Sequence, residues 1–215
     1  MNSKLQTLSS KIYAISPTNI FSKDFSTKLT QVLESGVQII QLRCKKEKIS
    51  SQEKMKLKNL VSLIHRSNGI CILNDHFSLV EAINADGLHI GQSDIDPALA
   101  RRLLPSKIIG ISCYQFVELA YLAKKAHLDY VSFGAFDKSS TKKDVSIIKK
   151  SEYKKINQFK ELPKVIIGGI KNSNFDQSKL SKFDMIAVSS GIFNEKNIPK
   201  AIKGLITNTN ILEKD

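Results

Sequence analysis

Two short apolar segments of this chain each end in side chains that could bind a metal ion. Cys71–Leu73 is followed by Asn74 and Asp75, and Leu88–Ile90 is followed within four residues by Asp94. Two carboxylates at neighbouring strand ends could share one Mg²⁺, which takes oxygen ligands and often shares them with a substrate phosphate. A simpler account is that both aspartates cap the helices that follow. These residues alone leave both accounts open.

A third apolar segment ends in polar and cationic side chains. Gln41, Arg43 and Lys45 alternate along the chain, so in an extended segment they share one side. Arginine holds a polyphosphate with its planar fork, and lysine does so as a compact charge. The alternative is that both are surface charges, but Gln41 and Arg43 interrupt an apolar run at its C-terminal edge. The pattern therefore favours an anion-binding role.

Hydroxyl-rich and glycine-rich turns follow four further apolar segments. Backbone N–H groups in such turns, next to serines before a helix, are typical of phosphate sites. Ordinary surface turns and helix caps have the same composition, so each motif is weak when taken alone. The residues are Ser112, Ser139, Ser140, Thr141, Lys142, Gly168, Gly169, Ser189 and Ser190.

Two histidines bear on the site in different ways. His76 directly follows Asp75 and is predicted to lie near the site. His89 lies within an apolar strand, where we expect it to be a hydrogen-bonded residue of the interior rather than a metal ligand.

The elements that must position these residues alternate regularly between strand and helix. Short runs that are apolar on both faces are typical of buried parallel strands, and alternating helices imply right-handed βαβ units. Eight such units predict a single-domain (β/α)8 TIM barrel, whose active site lies at the C-terminal ends of the strands. An open doubly wound sheet is disfavoured because no glycine-rich fingerprint follows the first strand. The predicted strands are 12–16, 37–42, 70–73, 87–90, 107–111, 130–133, 164–167 and 185–188. The predicted helices are 24–34, 51–66, 78–83, 97–103, 116–126, 151–159, 174–180 and 198–205.

Composition narrows the class of protein. The 215 residues suit one barrel domain over residues 1–215, and we expect the polar residues 207–215 to form a frayed tail. No apolar run is long enough for a membrane span, and the N-terminus lacks a signal-peptide pattern. Three widely spaced cysteines predict reduced thiols in a cytoplasmic protein. The net charge of +13 comes mainly from dispersed lysines, which favours small anionic substrates over nucleic acid. A homo-oligomer is left open.

The motifs, in this order, resemble those of the thiamine phosphate synthase family from about Tyr13 to Ile192. QLRCK resembles the family's Gln-x-Arg-x-Lys segment, LNDH its Asn-Asp pair, and GLHIGQSD the following strand and metal loop. IIGIS, GAFDKSSTKKD, IIGGI and AVSSGI resemble its later strand ends and phosphate loops.

This resemblance implies a transferase that joins 4-amino-2-methyl-5-pyrimidinylmethyl diphosphate to 4-methyl-5-(2-phosphoethyl)thiazole, releasing pyrophosphate. It implies Mg²⁺ as the cofactor, with Asp75 and Asp94 as its ligands. Arg43, Lys45, Ser112 and Lys142 would be the catalytic residues. The same four, with Gln41 and Asn74, would hold the pyrimidine diphosphate. The thiazole phosphate would be held by Ser139, Ser140, Thr141, Gly168, Gly169, Ser189 and Ser190.

Two other functions compete with this interpretation. The related thiazole tautomerase uses a histidine base where this chain has Tyr114, and it lacks the paired aspartates. A barrel that binds a phosphorylated ligand, or nucleic acid, without turnover would not need Asp75 or Asp94. The chain also departs from the family pattern at His76, where arginine is frequent, at Cys113–Gln115, and at Lys138–Ser140, where prolines are usual.

Overall fold

Eight parallel strands close into one barrel in chain order, each pairing with the next and the last pairing with the first. The structure, a computed structural model, describes residues 5, 8, 10–138 and 146–210. The predicted (β/α)8 barrel is confirmed. The strands are β1 (Ile12–Ile15), β2 (Ile39–Leu42), β3 (Ile70–Asn74), β4 (Gly87–Ile90), β5 (Ile108–Ser112), β6 (Tyr130–Gly134), β7 (Lys164–Ile167) and β8 (Met185–Val188).

Alternate residues of each strand face the helices and the barrel interior. In β1, Ile12 and Ala14 belong to the core between strands and helices, whereas Tyr13 and Ile15 belong to the core inside the barrel. Both faces of the strands are therefore buried. This explains why apolar, β-branched runs predicted each end of each strand to within two residues. Leu5 also packs into the inner core.

Eight α-helices lie among the described residues and cover the outside of the barrel. Two of them, the second and the third, begin at a side-chain cap. The Ser50 hydroxyl accepts from the N–H of Glu53, whose carboxylate accepts from the N–H of Ser50, so the second helix has a full capping box. The helices are α1 (Phe25–Glu34), α2 (Ser51–Arg66), α3 (Pro97–Leu103), α4 (Val117–Lys125), α5 (Lys150–Gln158), α6 (Gln177–Leu180), α7 (Ser190–Phe193) and α8 (Ile198–Asn210).

Two helix predictions need correction here, and one short helix was missed. The helix expected over 78–83 is a 3₁₀ turn, Phe77–Leu79, followed by turns up to Asn84. Asn84 has a left-handed φ of 58°, which ends any helical run before β4 begins. The helix expected over 174–180 is divided into a 3₁₀ turn, Asn172–Asn174, and α6. The short helix α7 was not predicted.

The chain's last described helix also differs from expectation. It continues to Asn210, so residues 207–210 of the predicted tail are helical. Residues 211–215 lie outside the described residues, and the fraying of that tail stays a prediction.

An aspartate lies just before each of β4, β6 and β8 and bonds to the preceding strand. The carboxylate of Asp86 accepts from the N–H of Cys71 at 2.9 Å, and the N–H of Asp86 donates to the carbonyl of Cys71 at 2.9 Å. Asp129 forms the same pair of bonds with Ile109, at 2.8 and 2.8 Å. Asp184 does so with Lys164, at 2.7 and 2.9 Å. These strand-joining aspartates satisfy strand N–H groups at the N-terminal end of the barrel.

Candidate active site

A cavity of about 240 Å³ lies at the C-terminal ends of the strands. Every site residue predicted from the sequence that lies in the described part of the chain lines this cavity. They are Gln41, Arg43, Lys45, Asn74, Asp75, Asp94, Ser112, Gly168, Gly169, Ser189 and Ser190. The remaining predicted residues, Ser139, Ser140, Thr141 and Lys142, lie outside the described residues.

Asp75 is held at the end of β3 by its backbone and by two side chains. Its φ of 67° is left-handed, and its N–H donates to the carbonyl of His89 on β4 at 3.0 Å. The Lys45 ammonium forms an ion pair with its carboxylate, and the Asn74 amide also donates to it. A non-glycine residue in this conformation is uncommon and often marks a functional position.

Asp94 is held by the loop that follows β4. Its carboxylate accepts from the N–H of Gly91 at 2.6 Å and is otherwise exposed at the cavity. The cap of α3 is a different aspartate, Asp96, whose carboxylate accepts from the N–H of Leu99 at 2.9 Å. Asp75 caps no helix either, because the 3₁₀ turn after it begins at His76 without a side-chain cap. The capping account of the two predicted aspartates is therefore wrong.

The two carboxylates form a donor set that suits Mg²⁺. Among the described residues, no group of three or more His, Cys, Asp or Glu side chains could hold a metal. Asp75 and Asp94 nevertheless line one cavity together. Mg²⁺ commonly takes one or two protein carboxylates and completes its shell with water and substrate phosphate.

The cationic side of the cavity is the segment after β2. Arg43 is half-buried, and desolvation lowers the pKa of its guanidinium while the charge of Asp75 opposes that shift. The backbone N–H of Arg43 donates to the Ser16 hydroxyl at 2.8 Å. The imidazole Nε2 of His76 donates to the carbonyl of Cys44 at 3.0 Å. His76 thus contacts the segment that carries Arg43, rather than lining the cavity itself.

The loops after β6 and β7 lie against each other. The N–H of Asp137 donates to the carbonyl of Gly168 at 3.0 Å. The amide nitrogen of Asn174 donates to the Asp137 carboxylate at 2.7 Å and to the Gly169 carbonyl at 2.9 Å. Gly169 has a φ of 67°, and a Cβ there would lie 2.4 Å from the carbonyl oxygen of Lys138. Glycine is therefore required at this close approach.

A hydrogen-bonded group of buried side chains forms the floor of the cavity. It joins Gln41 and Ser112 through Tyr13, Tyr130 and His89. His89 uses both ring nitrogens, so its expected role as a hydrogen-bonded interior residue is confirmed. Sequence reasoning missed the two tyrosines, which lie within apolar strands and carry no motif.

These features together define a (β/α)8 barrel enzyme with acidic, cationic and glycine-rich segments around one cavity. The sequence profile of the thiamine monophosphate synthase family matches residues 12–192. The thiamine-phosphate synthase of Pelagibacter ubique is 36% identical over 187 residues, which are 86% of this chain and 89% of that protein. The enzyme of the same name from Wolinella succinogenes is 35% identical, covering 91% of this chain and 92% of that protein.

A solved structure agrees with these sequence comparisons. The thiamine phosphate pyrophosphorylase of Pyrococcus furiosus superposes with a TM-score of 0.82 at 27% identity, covering 98% of each chain. The chain therefore belongs to the thiamine monophosphate synthase family, whose members are transferases of thiamine biosynthesis. The resemblance stated from the sequence motifs is confirmed.

No helix among the residues that the structure describes is long and apolar enough to cross a membrane. The three cysteines, Cys44, Cys71 and Cys113, are buried and free of disulfides, as predicted.

Proposed function

We propose that this cavity joins the pyrimidinylmethyl group of 4-amino-2-methyl-5-pyrimidinylmethyl diphosphate to 4-methyl-5-(2-phosphoethyl)thiazole. The products are thiamine phosphate and pyrophosphate. The observation that carries this proposal is the convergence of eleven predicted site residues on one cavity in a chain of this family. Two cations and two glycine- or serine-rich loops suit the anionic groups of two phosphorylated substrates, and the acidic pair suits a metal ion that would be shared with the diphosphate.

Asp75 and Asp94 are the proposed ligands of Mg²⁺, the cofactor implied by the family resemblance. The ion, when bound, would neutralise charge on the diphosphate. Lys45 already pairs with Asp75, so the ammonium lies beside the negative charge that a metal and a diphosphate would share. Asp75 directly follows β3 and Asp94 lies in the loop after β4, and substrate oxygens and water would supply the remaining ligands.

Arg43 and Lys45 are proposed to stabilise the departing pyrophosphate, together with Ser112 and Lys142. Fixed positive groups aimed at developing charge lower the barrier most when they are already in place. The backbone of Arg43 is anchored to Ser16, and Cys44 next to it is anchored to His76. These contacts hold the cationic segment in position before substrate binds.

The thiazole nitrogen is proposed to attack the carbocation-like pyrimidinylmethyl group directly, without a protein nucleophile. The cysteines cannot readily supply a thiolate, because burial raises the pKa of Cys113 to about 12 and also raises the pKa of Cys71 and Cys44. The catalytic part of the cavity would then act by positioning and by charge.

The thiazole phosphate is proposed to bind between the loops after β6, β7 and β8. Gly168, Gly169, Ser189 and Ser190 line this side of the cavity, and Ser139–Thr141 would complete it. Ser189 precedes α7, and its carbonyl accepts from the N–H groups of Ile192 and Phe193 at 2.9 Å each.

Gly169→Ala should raise the KM for the thiazole phosphate at least tenfold. The new Cβ would meet the Lys138 carbonyl at 2.4 Å, so the two loops must separate. Left-handed backbone in alanine also costs roughly 1–2 kcal/mol. Gly36→Ala is the matched control: its φ is 89°, but a Cβ there has nothing within 4 Å. Steady-state kinetics and thermal unfolding of both variants test this prediction. A KM for the thiazole phosphate in Gly169→Ala equal to that of the wild-type protein would contradict it.

The proposed activity is tested by incubating the purified protein with both substrates, with and without Mg²⁺. We expect thiamine phosphate and pyrophosphate in equal amounts with Mg²⁺, and near-complete loss after chelation with EDTA that added Mg²⁺ reverses. Absence of product with Mg²⁺ would overturn the proposal. Isomerisation of the thiazole phosphate without pyrimidine would instead support the tautomerase alternative, which Tyr114, in place of the tautomerase histidine, disfavours.

The protein is also proposed to act in the cytoplasm. Three buried, unbridged cysteines suit a reducing compartment. The oligomeric state is left open, and binding to nucleic acid is not expected because the basic residues are mainly dispersed lysines.

A further inference from the structure

Five polar side chains form a continuous hydrogen-bonded path across the barrel interior. The Gln41 amide Nε2 donates to the Tyr13 hydroxyl at 2.9 Å, and the Tyr13 and Tyr130 hydroxyls are 2.9 Å apart. Tyr130 contacts His89 Nδ1 at 3.0 Å, and His89 Nε2 contacts the Ser112 hydroxyl at 3.0 Å. The path therefore connects two predicted substrate-binding residues, Gln41 and Ser112, through residues that carry no assigned role.

Gly110 makes this path possible. His89, Gly110 and Tyr130 lie at one level of β4, β5 and β6, paired in register. A Cβ at Gly110 would lie 2.0 Å from the Tyr130 ring, so the ring passes directly over this glycine. It then stacks on the His89 ring, with centroids 5.6 Å apart and an interplanar angle of 25°. A side chain at Gly110 would keep Tyr130 from reaching its partner two strands away.

With the Gln41 amide nitrogen as the donor, one direction of the path uses every proton in it. Burial raises the pKa of both Tyr13 and Tyr130, so each phenol keeps its single proton. Tyr13 accepts from Gln41, and its own proton therefore goes to Tyr130. Tyr130 in turn donates to Nδ1 of His89, which places the histidine proton on Nε2. That N–H donates to Ser112, whose hydroxyl proton is then left for the cavity.

We propose that Tyr130 is a positioning residue that fixes the polarity of the pyrimidine site through Tyr13 and His89. The bond from Nε2 to Tyr13 fixes the orientation of the Gln41 amide, whose carbonyl oxygen is then an acceptor for a ligand. With its oxygen occupied by His89, Ser112 offers a hydroxyl donor. The cavity thus presents an acceptor at Gln41 and a donor at Ser112, both of which line it.

This polarity matches a 4-aminopyrimidine and opposes its 4-oxo analogue. The amino group is a donor and the neighbouring ring nitrogen is an acceptor, which complements Gln41 and Ser112. The 4-oxo ring presents an acceptor and an N–H donor in the same places, so each contact becomes a mismatch. A site that hydrogen-bonds its substrate in this way rejects the inverted partner strongly. The inference rests on the proposed function, since it assumes the pyrimidine diphosphate as the ligand.

The test measures kcat and KM for the 4-amino and 4-oxo pyrimidine diphosphates in the wild-type protein and in Tyr130→Phe. The variant removes one hydroxyl and keeps the ring over Gly110. We expect the preference for the amino substrate to fall at least tenfold, while the KM for the thiazole phosphate stays unchanged. Tyr153→Phe is the matched control, because the Tyr153 hydroxyl is buried without a hydrogen-bond partner among the described residues. Its selectivity should equal that of the wild-type protein.

The outcomes separate this inference from the function on which it rests. If the wild-type protein makes thiamine phosphate and Tyr130→Phe keeps the full preference, the positioning role is overturned and the function stands. If the wild-type protein makes no product, the proposed function is overturned, and the inference that rests on it falls with it. Tyr13→Phe breaks the same path at the neighbouring hydroxyl, so it provides the selectivity test if Tyr130→Phe proves thermally unstable.

Discussion

Asp94→Asn should lower kcat by about 10²–10³-fold, the range for losing one electrostatic contact that acts in the transition state. The change removes one negative charge and keeps the size of the side chain. Asp94 is exposed at the cavity, and within the described part of the chain its carboxylate bonds only locally, to the N–H of Gly91. The folded barrel should therefore be unaffected, while the affinity for Mg²⁺ falls. Asp75→Asn should give a comparable loss and also leave the Lys45 ammonium without its carboxylate partner.

Kinetics across a Mg²⁺ titration check this prediction, together with thermal unfolding. The control is Asp96→Asn, two residues further along the same loop. Asp96 caps α3, and asparagine is an equally good cap, so neither stability nor turnover should change. A non-catalytic phosphate-binding barrel makes the opposite prediction, because its ligand would bind equally well to Asp94→Asn. An unchanged kcat in both Asp75→Asn and Asp94→Asn would rule out the proposed metal site.

Arg43→Gln should lower kcat by about 10²-fold, in line with the loss of a positioned charge at a leaving group. Arg43 is half-buried in the cavity wall, with Asp75 as the charge that favours its ionised form. Arg43→Lys should recover only part of the activity, since an ammonium keeps the charge but not the planar fork. Inhibition by pyrophosphate should weaken in the same order as kcat.

The exposed Arg102 on α3 provides the control, because Arg102→Gln removes the same charge from the protein far from the cavity lining. Comparing the two glutamine variants separates a local contact from the general attraction of a protein with a net charge of +13. Equal kcat and equal pyrophosphate inhibition in Arg43→Gln and the wild-type protein would contradict the role of Arg43 in leaving-group departure.

The strands and the rim residues could be predicted because their signals are local. A buried parallel strand must be apolar on both faces, and β1 and β8 show this directly in their sequences. The polar residue that ends such a run must lie at the C-terminal rim, so Arg43 and Asp75 followed from the strand ends alone. The short β3–β4 connection was predicted wrongly as a helix because its apolar spacing suits a helix as well as a series of turns.

The floor of the cavity could not be predicted, because its contacts are made across the barrel. The Tyr13 and Tyr130 hydroxyls meet although the residues are 117 positions apart. The alternation of residues along a strand divides them between its two faces. It does not show which side chains from different strands meet in the barrel interior. Gly110 carries the decisive information, since its missing side chain admits the Tyr130 ring. In the sequence, a glycine within a strand does not identify the side chain that packs over it.

The strand-joining aspartates give the two ends of this barrel different tolerance to substitution. Asp86, Asp129 and Asp184 accept hydrogen bonds from backbone N–H groups at the N-terminal end. A residue without a side-chain acceptor in their place would leave those N–H groups without a partner. Asp75 and Asp94, of the same residue type, lie at the opposite end and contribute to the cavity instead. Substitutions at the substrate-facing rim can therefore change the cavity while the aspartate contacts that join the strands at the other end stay intact.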